Sequence, residues 1–368
     1  MQPASSARAR TNHLAETAGL IWMCAGVARL VLSFVAVDPA ATDFRGFYAS
    51  GFLLRTGHAW SDSAAVFTPN LNPPTFNLLI APLTVLPLHA AYYAWNVIGM
   101  LSLLVSLRAL HRADPIGAAA WPWIVGALGL SLPAIQTWTQ GQVGWVLLYP
   151  CTRAWLSRSE GTAGMWLAPA VLIKPPLALM AMLLPVRTWL TAGVISAAAA
   201  AVHVALVGLP PWHAWLDTAV GAPTIREPAN ASLLGIATRF QFGLGGDAPV
   251  AGLSIAWWGL WTVSAITIGW LAYRSPSDKR WLAALFGGVW LNPLGWAYYV
   301  VLWLGPILRY ARPSWLTGIA AALLTEPILI GLASATRQTP FYLLSLSACA
   351  AGVVLLAISL WQCADEHP

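Results

Sequence analysis

Three charged side chains stand where their surroundings suit chemistry: Asp43, Lys174 and Arg239. Asp43 lies in Thr42-Asp43-Phe44-Arg45-Gly46-Phe47-Tyr48, just beyond the first apolar run. A carboxylate next to apolar surroundings is costly to desolvate without a partner or a task. As a general base it can take a proton from an acceptor hydroxyl; the competing reading is a solvated loop carboxylate paired with Arg45. Lys174 sits in Ile173-Lys174-Pro175-Pro176, between two short apolar segments. A lysine at a helical break suits an anionic phosphate, and the alternative is a side chain that snorkels to an interface. Arg239 closes the pattern Asn230-x-Ser232-Leu233-x-Gly235-x-x-x-Arg239. There Asn or Ser can start a short helix, and a guanidinium can grip phosphate bidentately. Asn230-Ala231-Ser232 also fits a glycosylation sequon, a match too short to carry weight.

The elements that must position these residues are dictated by composition. Charged residues make up 9% of the 368, against roughly 25% in soluble domains. Apolar residues reach 58%, and the mean hydropathy is +0.66. Several apolar runs are long enough for a hydrocarbon core that takes about 20 helical residues to cross. Backbone groups in lipid must be satisfied within the segment, so these runs predict α-helices. The alternation of a transmembrane β-barrel is absent. The expected class is therefore an all-α polytopic membrane protein. The first apolar run, 19–37, is read as a retained helix, because no small-x-small cleavage site leading into a soluble domain follows it. The net charge of +6 comes from basic residues dispersed in short loops, which argues against a nucleic-acid partner. Cys24, Cys151, Cys349 and Cys363 show no metal spacing and read as small hydrophobes.

Hydropathy predicts about twelve spans, near 18–37, 88–107, 120–136, 143–157, 160–173, 175–186, 190–209, 251–272, 280–292, 294–310, 314–335 and 340–362. The segment 73–86 is too short to cross and reads as an interfacial or re-entrant helix. With residues 1–17 as a cytoplasmic tail, Arg8, Arg10, Arg108, Arg112, Arg153, Arg158, Arg187, Arg274, Lys279, Arg280, Arg309 and Arg312 fall inside. Arg45, Arg55, Lys174, Arg226, Arg239 and Arg337 fall outside. Residues 18–362 then form one membrane domain, and 363–368 a second cytoplasmic tail. Two long outer loops, about 38–86 and 210–250, exceed ordinary loop lengths, and long loops with some order tend to be functional. The 22 tryptophans read chiefly as interface anchors, with sugar stacking as the alternative. The candidate site residues all fall at this outer side. Arg29 and Glu326 lie about halfway through their helices, and an isolated charge at that depth is expensive, so they are expected to pair. No HExxH, triad order, phosphate loop or dinucleotide fingerprint occurs.

The pieces of this pattern, in order, resemble glycosyltransferase family 87, the polyprenyl-phosphate-sugar-dependent transferases with a GT-C type membrane fold. They are Asp43-Phe44-x-x-Phe47-Tyr48, Asn72-Pro73-Pro74, Pro82-Leu83, Leu86-Pro87 and Gly141-Gln142. Ala163-Gly164 leading to Ile173-Lys174-Pro175, the Asn230 to Arg239 pattern, and Asn292-Pro293-Leu294-Gly295-Trp296 complete them. The resemblance implies a bacterial cytoplasmic-membrane enzyme with both termini inside and its active site facing outward. It would move a sugar from a polyprenyl phosphate to a lipid or glycan acceptor, with inversion. Asp43 matches the acidic residue that serves as catalytic base, and Lys174 and Arg239 match basic positions for the donor phosphate. Candidate substrate contacts are Arg45, His58, Asn72, Gln142, Asn230, Ser232, Asn292, Trp296, Tyr298 and Tyr299.

One departure stands out. Many mannosyl-transferring members carry an acidic residue and two histidines after the tryptophan, whereas this chain reads Trp296-Ala297-Tyr298-Tyr299. The departure speaks against mannose as donor sugar and against a divalent metal, so no cofactor is expected. A secondary transporter or lipid flippase is the runner-up, disfavoured because transporters pair broken helices in two repeats and only the break at Lys174 is visible. An inactive relative acting as a scaffold is the third reading.

Overall fold

The computed structural model describes residues 4–57, 70–221, 227–243, 252–312 and 314–365. The chain is 82% helical, with no strand among the described residues. α1 (Ala4–Ala36) leads into α2 (Asp43–Thr56), and the short α3 (Pro74–Ile80) precedes α4 (Leu88–Ala113). α5 (Trp121–Leu130), α6 (Leu132–Thr139), α7 (Gly144–Trp155) and α8 (Glu160–Ile173) follow. Next come α9 (Ala178–Met182), α10 (Val186–Val207), α11 (Pro210–Gly221) and α12 (Leu233–Phe242). The last third holds α13 (Ile255–Arg274), α14 (Ser277–Trp290), α15 (Leu304–Tyr310) and α16 (Trp315–Leu323), then α17 (Glu326–Thr336), α18 (Tyr342–Leu346) and α19 (Ala348–Cys363).

Four of these are long and apolar enough to cross a bilayer: Leu14–Ala36 within α1, then α4, α10 and α13. The other expected spans consist of shorter pieces, so continuous helices do not establish a count of twelve. The reason is local. Ser131 caps α6 by accepting from the Ala134 amide, and Pro133 follows within its first turn. Thr325 precedes α17 without a side-chain cap, and Pro327 stands in its first turn. Proline is tolerated there because those amides lack helical partners anyway. The two breaks face each other: the Leu132 amide donates to the Leu324 carbonyl at 2.7 Å, within an antiparallel bridge of Ser131 and Thr325. Thus 120–136 and 314–335 are each two helices. The run 175–186 is a 3₁₀ turn plus the five-residue α9, and 294–310 opens as a 3₁₀ helix, Ala297–Trp303, before α15.

The stretch 73–86 is too short to cross as one helix. α3 and the 3₁₀ helix Ala81–Val85 together supply twelve helical residues, short of the roughly 20 needed. Both pack against α2. A Cβ on Gly51 would stand 2.8 Å from Ile80 Cγ2, and the rings of Phe47 and Phe76 meet edge-on at 5.1 Å. α1 and α5 approach through small residues: a Cβ on Gly129 would lie 2.2 Å from the Gly26 carbonyl oxygen. Such backbone approach is how helices associate in lipid, where burial alone gives little drive. Arg29 of α1 pairs with Glu326 of α17, as expected, and also donates to Ser33 Oγ at 2.6 Å.

Tryptophan corrects one expectation. Trp95, Trp138, Trp145 and Trp303 are buried in the core with Phe44, Phe76 and Tyr92, so these four are packing residues rather than interface anchors. Trp138 and Trp145 stack at 5.0 Å. Cys151 and Cys349 are buried and every cysteine is free.

Candidate active site

The site is assembled where α2 begins. Asp43 is the first residue of α2, after Thr42. That end docks on the turn between α6 and α7: the Phe44 amide donates to the Gln140 carbonyl at 3.1 Å, and the Asp43 amide to Gln140 Oε1 at 3.3 Å. Gln142 Nε2 donates to Asp43 Oδ2. Gly141 makes this approach possible. Its φ of +62° favours glycine, and a Cβ there would stand 2.8 Å from Phe44 Cβ. Trp95 Nε1 holds the same turn through the Gly141 carbonyl at 2.9 Å. Burial pushes the Asp43 carboxyl above the usual carboxylate range, against the opposing pull of Lys174 and the Gln142 hydrogen bond. The pairing with Arg45 does not form, because the Arg45 guanidinium turns to the Ala40 carbonyl at 3.3 Å.

Opposite lies Lys174, which ends α8. It does not snorkel: it is 8% exposed, and its Nζ donates to Asn72 Oδ1 at 3.0 Å. Asn72 is in turn fixed by its amide, which donates to Asn70 Oδ1 at 2.9 Å. Trp215 of α11 donates to the neighbouring Leu71 carbonyl at 3.2 Å. The charges of Lys174 and Asp43 act on each other. Asn72 Nδ2 and Gln142 Oε1 are buried without a partner among the described residues.

A third wall comes from two crossed segments. The Ala231 amide donates to the Gly295 carbonyl at 2.9 Å and the Ala297 amide to the Ala229 carbonyl at 2.7 Å, clamping 229–231 onto 295–297. Asn230 Nδ2 donates to the Pro293 carbonyl at 2.9 Å, and Ser232 Oγ caps α12 by accepting from the Gly235 amide at 2.9 Å. Asn230 is fully buried, which rules out a glycan on the sequon in this fold. Arg239, also fully buried, donates through Nη1 to the Glu227 and Asn230 carbonyls at 2.8 and 3.0 Å, and through Nε to Ser347 Oγ at 3.4 Å. Its Nη2 has no partner among the described residues. Asn292 accepts from the Leu294 amide at 3.0 Å, with its own Nδ2 buried and unpartnered. Trp296 stacks on Tyr298 at 5.7 Å, Tyr298 meets Tyr299 edge-on at 4.8 Å, and both tyrosines feel the Asp43 charge.

The structure thus gathers Asp43, Gln142, Lys174, Asn72, Tyr298 and Tyr299 around one site. Asn230, Ser232 and most of the Arg239 guanidinium hold backbone at its edge, and His58 lies outside the described residues. Sequence reading missed Glu227. Desolvation and the Asp43 charge push its carboxyl upward, and its carbonyl is the one Arg239 holds. The only signal was its place three residues before Asn230. Among the described residues no three His, Cys, Asp or Glu side chains are grouped to hold a metal ion.

Compared with known families, residues 70–291 match the model of glycosyltransferase family 87. The chain belongs to glycosyltransferase family 87. The matched stretch of this membrane glycosyltransferase includes Asn72, Gln142, Lys174 and Arg239. Asp43 precedes it, and Asn292 through Tyr299 follow it. Neither the curated proteins nor the solved structures contain a match to the glycosyltransferase.

Proposed function

We propose that the protein is an inverting glycosyltransferase of GT-C type that moves one sugar from a polyprenyl phosphate to a hydroxyl of a lipid or glycan acceptor. The observation that carries this reading is a carboxyl of raised proton affinity, Asp43, facing a buried ammonium, Lys174, in one desolvated site. The acceptor oxygen attacks the anomeric carbon, and its proton passes to Asp43. The bond from that carbon to the phosphate oxygen breaks, and its electron pair leaves with the polyprenyl phosphate. A single displacement inverts the anomeric carbon. In this reading Lys174 and Asn72 Nδ2 stabilise the charge on the departing phosphate, and fixed donors in a water-poor site are worth most there. Arg239 Nη2 is the part of that guanidinium left for the phosphate. Tyr298, Tyr299, Gln142 and Asn292 supply neutral hydrogen-bonding groups suited to sugar hydroxyls.

The facing breaks at Ser131 and Thr325 are a pair of helix breaks, but they give the break at Lys174 no counterpart. Family membership favours transfer chemistry over transport. The experiment offers purified wild type and Asp43→Asn a panel of radiolabelled polyprenyl-phosphate sugars with membrane lipid as acceptor. Label should move to a new product with wild type, and the variant should lose about 10²–10⁴-fold in rate if Asp43 is the base. Equal transfer by both would remove Asp43 from the mechanism. No transfer and no donor binding by wild type would leave the transporter and scaffold readings.

A further inference from the structure

Glu227-Pro228-Ala229-Asn230 forms a tight turn. Proline suits its second position because the ring presets φ, and the Asn230 amide donates to the Glu227 carbonyl at 2.9 Å. The same carbonyl accepts from Arg239 Nη1 at 2.8 Å, so the backbone of Glu227 is held twice. Its side chain is exposed, as are Pro228 and Pro293 nearby, whereas Ala229, Asn230 and Ala231 behind it are buried. Desolvation nonetheless pushes the Glu227 carboxyl up, and the Asp43 charge adds to the effect. A carboxyl open to water yet desolvated from its flanks stands in a recess, not on a protruding loop tip. That recess adjoins the site. The Glu227 charge acts on Tyr298 as well, and Trp296 stacks on the Tyr298 ring at 5.7 Å with the planes 11° apart. Trp296 is only partly buried, and its backbone pairs with Asn230 at the end of the turn.

We infer that this mouth holds the terminal sugar ring of a glycosylated acceptor, with Trp296 along the apolar face of the ring and the Glu227 carboxylate accepting from a hydroxyl next to the attacking one. The inference rests on the transferase reading and narrows its acceptor to a glycoside. A pyranose has a face of C–H bonds and a rim of hydroxyls. An indole offers a flat apolar surface with little rotamer freedom to lose. An ionised carboxylate only accepts hydrogen bonds, through two oxygens, so its partners are donors such as hydroxyls. Other acceptors lack one half of the match. A polyprenol has no second hydroxyl for Glu227, and a glycerol headgroup has no flat face for Trp296. The side of the site is set by charge. A single displacement puts the acceptor and the leaving phosphate on opposite sides of the anomeric carbon. A carboxylate is a poor neighbour for phosphate, so Glu227 belongs with Asp43 on the acceptor side and Lys174 with the phosphate.

Binding can be read apart from transfer. The full chain in nanodiscs of deuterated lipid is mixed with a panel of methyl pyranosides and with glycerol, and saturation-transfer NMR from the aromatic resonances shows which ligand protons touch the protein. At least one pyranoside should be saturated through the C–H protons of one ring face, and glycerol should not. Trp296→Leu should reduce that signal at least tenfold, while Trp296→Phe keeps it. Glu227→Gln should weaken binding about tenfold, the difference between a charge-assisted and a neutral hydrogen bond. A deoxy analogue lacking the held hydroxyl should bind wild type about tenfold more weakly, and the variant no more weakly than the parent sugar does. Absence of contact with every pyranoside overturns the inference, as does a signal that survives Trp296→Leu or ignores Glu227→Gln. Should Trp296→Leu fail to fold, the exposed Glu227→Gln and the deoxy analogue decide alone. Binding that depends on both residues, with no transfer to that pyranoside from any polyprenyl-phosphate sugar, would strike the transferase reading and leave the sugar face standing. Transfer to a hydroxyl that is not on a sugar would leave the transferase and overturn the acceptor inferred for it.

Discussion

Asp43 is caught between opposing effects. Burial disfavours its charged form, while Lys174 and the Gln142 hydrogen bond favour it, and burial prevails. A general base acts only when deprotonated, so kcat/KM should fall as pH drops through a value above the ordinary carboxylate pKa of about 4. Gln142→Leu deletes one of the two effects that hold the pKa down. The acid limb of the pH profile should then move to higher pH while the plateau rate is reached at alkaline pH. An unchanged or lowered limb would mean that a different group controls the profile. At this scale the sequence was most readable. Lys174 stands out because a charge between two apolar segments needs a partner or a task, and Asp43 because it follows an apolar run closely. Glu227 was hidden because it sits in a loop where a carboxylate needs neither.

Elements set the site through close backbone approach, and two glycines separate the effects involved. Gly141 and Gly57 both have positive φ, +62° and +72°, but a Cβ at Gly57 meets nothing within 4 Å. Gly57→Ala should therefore carry only the left-handed penalty, roughly 1–2 kcal/mol. Gly141→Ala carries the same penalty and also pushes on Phe44, the residue after the proposed base. It should lower the melting temperature further and cut kcat, whereas Gly57→Ala leaves kcat near wild type. Equal kcat in both variants would detach the α6–α7 turn from catalysis. The Arg29–Glu326 pair gives a second comparison. Removing one member of a pair strands the other charge, and because this pair is only partly buried the cost should fall below the roughly 3–5 kcal/mol of a fully buried one. Glu326 heads α17, whose N-terminus partly stabilises a lone carboxylate. Glu326→Gln should thus destabilise more than Arg29→Met, and the double variant less than their sum, as read by denaturant unfolding in detergent. This pair was readable from depth alone. The breaks at Ser131 and Thr325 were not, because a hydropathy average over a long window runs across a serine or threonine followed by proline, whereas the backbone does not. The buried tryptophans escaped for a related reason: composition counts them without saying which face they occupy.

At the scale of the whole molecule three of the helices share one polarity. α7 runs from the Gln142 turn to Arg153, α8 from beyond Arg158 to Lys174, and α14 from Lys279 and Arg280 to Asn292. Each has its basic residues at one end and a candidate site residue at the other. Lys and Arg are retained on the cytoplasmic side, so the polarity predicts that the site faces the outer leaflet. The orientation is measurable apart from any activity. In a background with Cys24 and Cys363 replaced by serine, Thr56→Cys sits on exposed helix at the site end, and Glu160→Cys is exposed at the basic end. A membrane-impermeant maleimide applied to intact cells or spheroplasts should label Thr56→Cys at once. Glu160→Cys should react only after the membrane is opened. Labelling of both from outside would break the shared polarity. The reverse pattern would turn the molecule over and require a donor in the inner leaflet, since the site cannot be separated from the ends of α8 and α14 that build it.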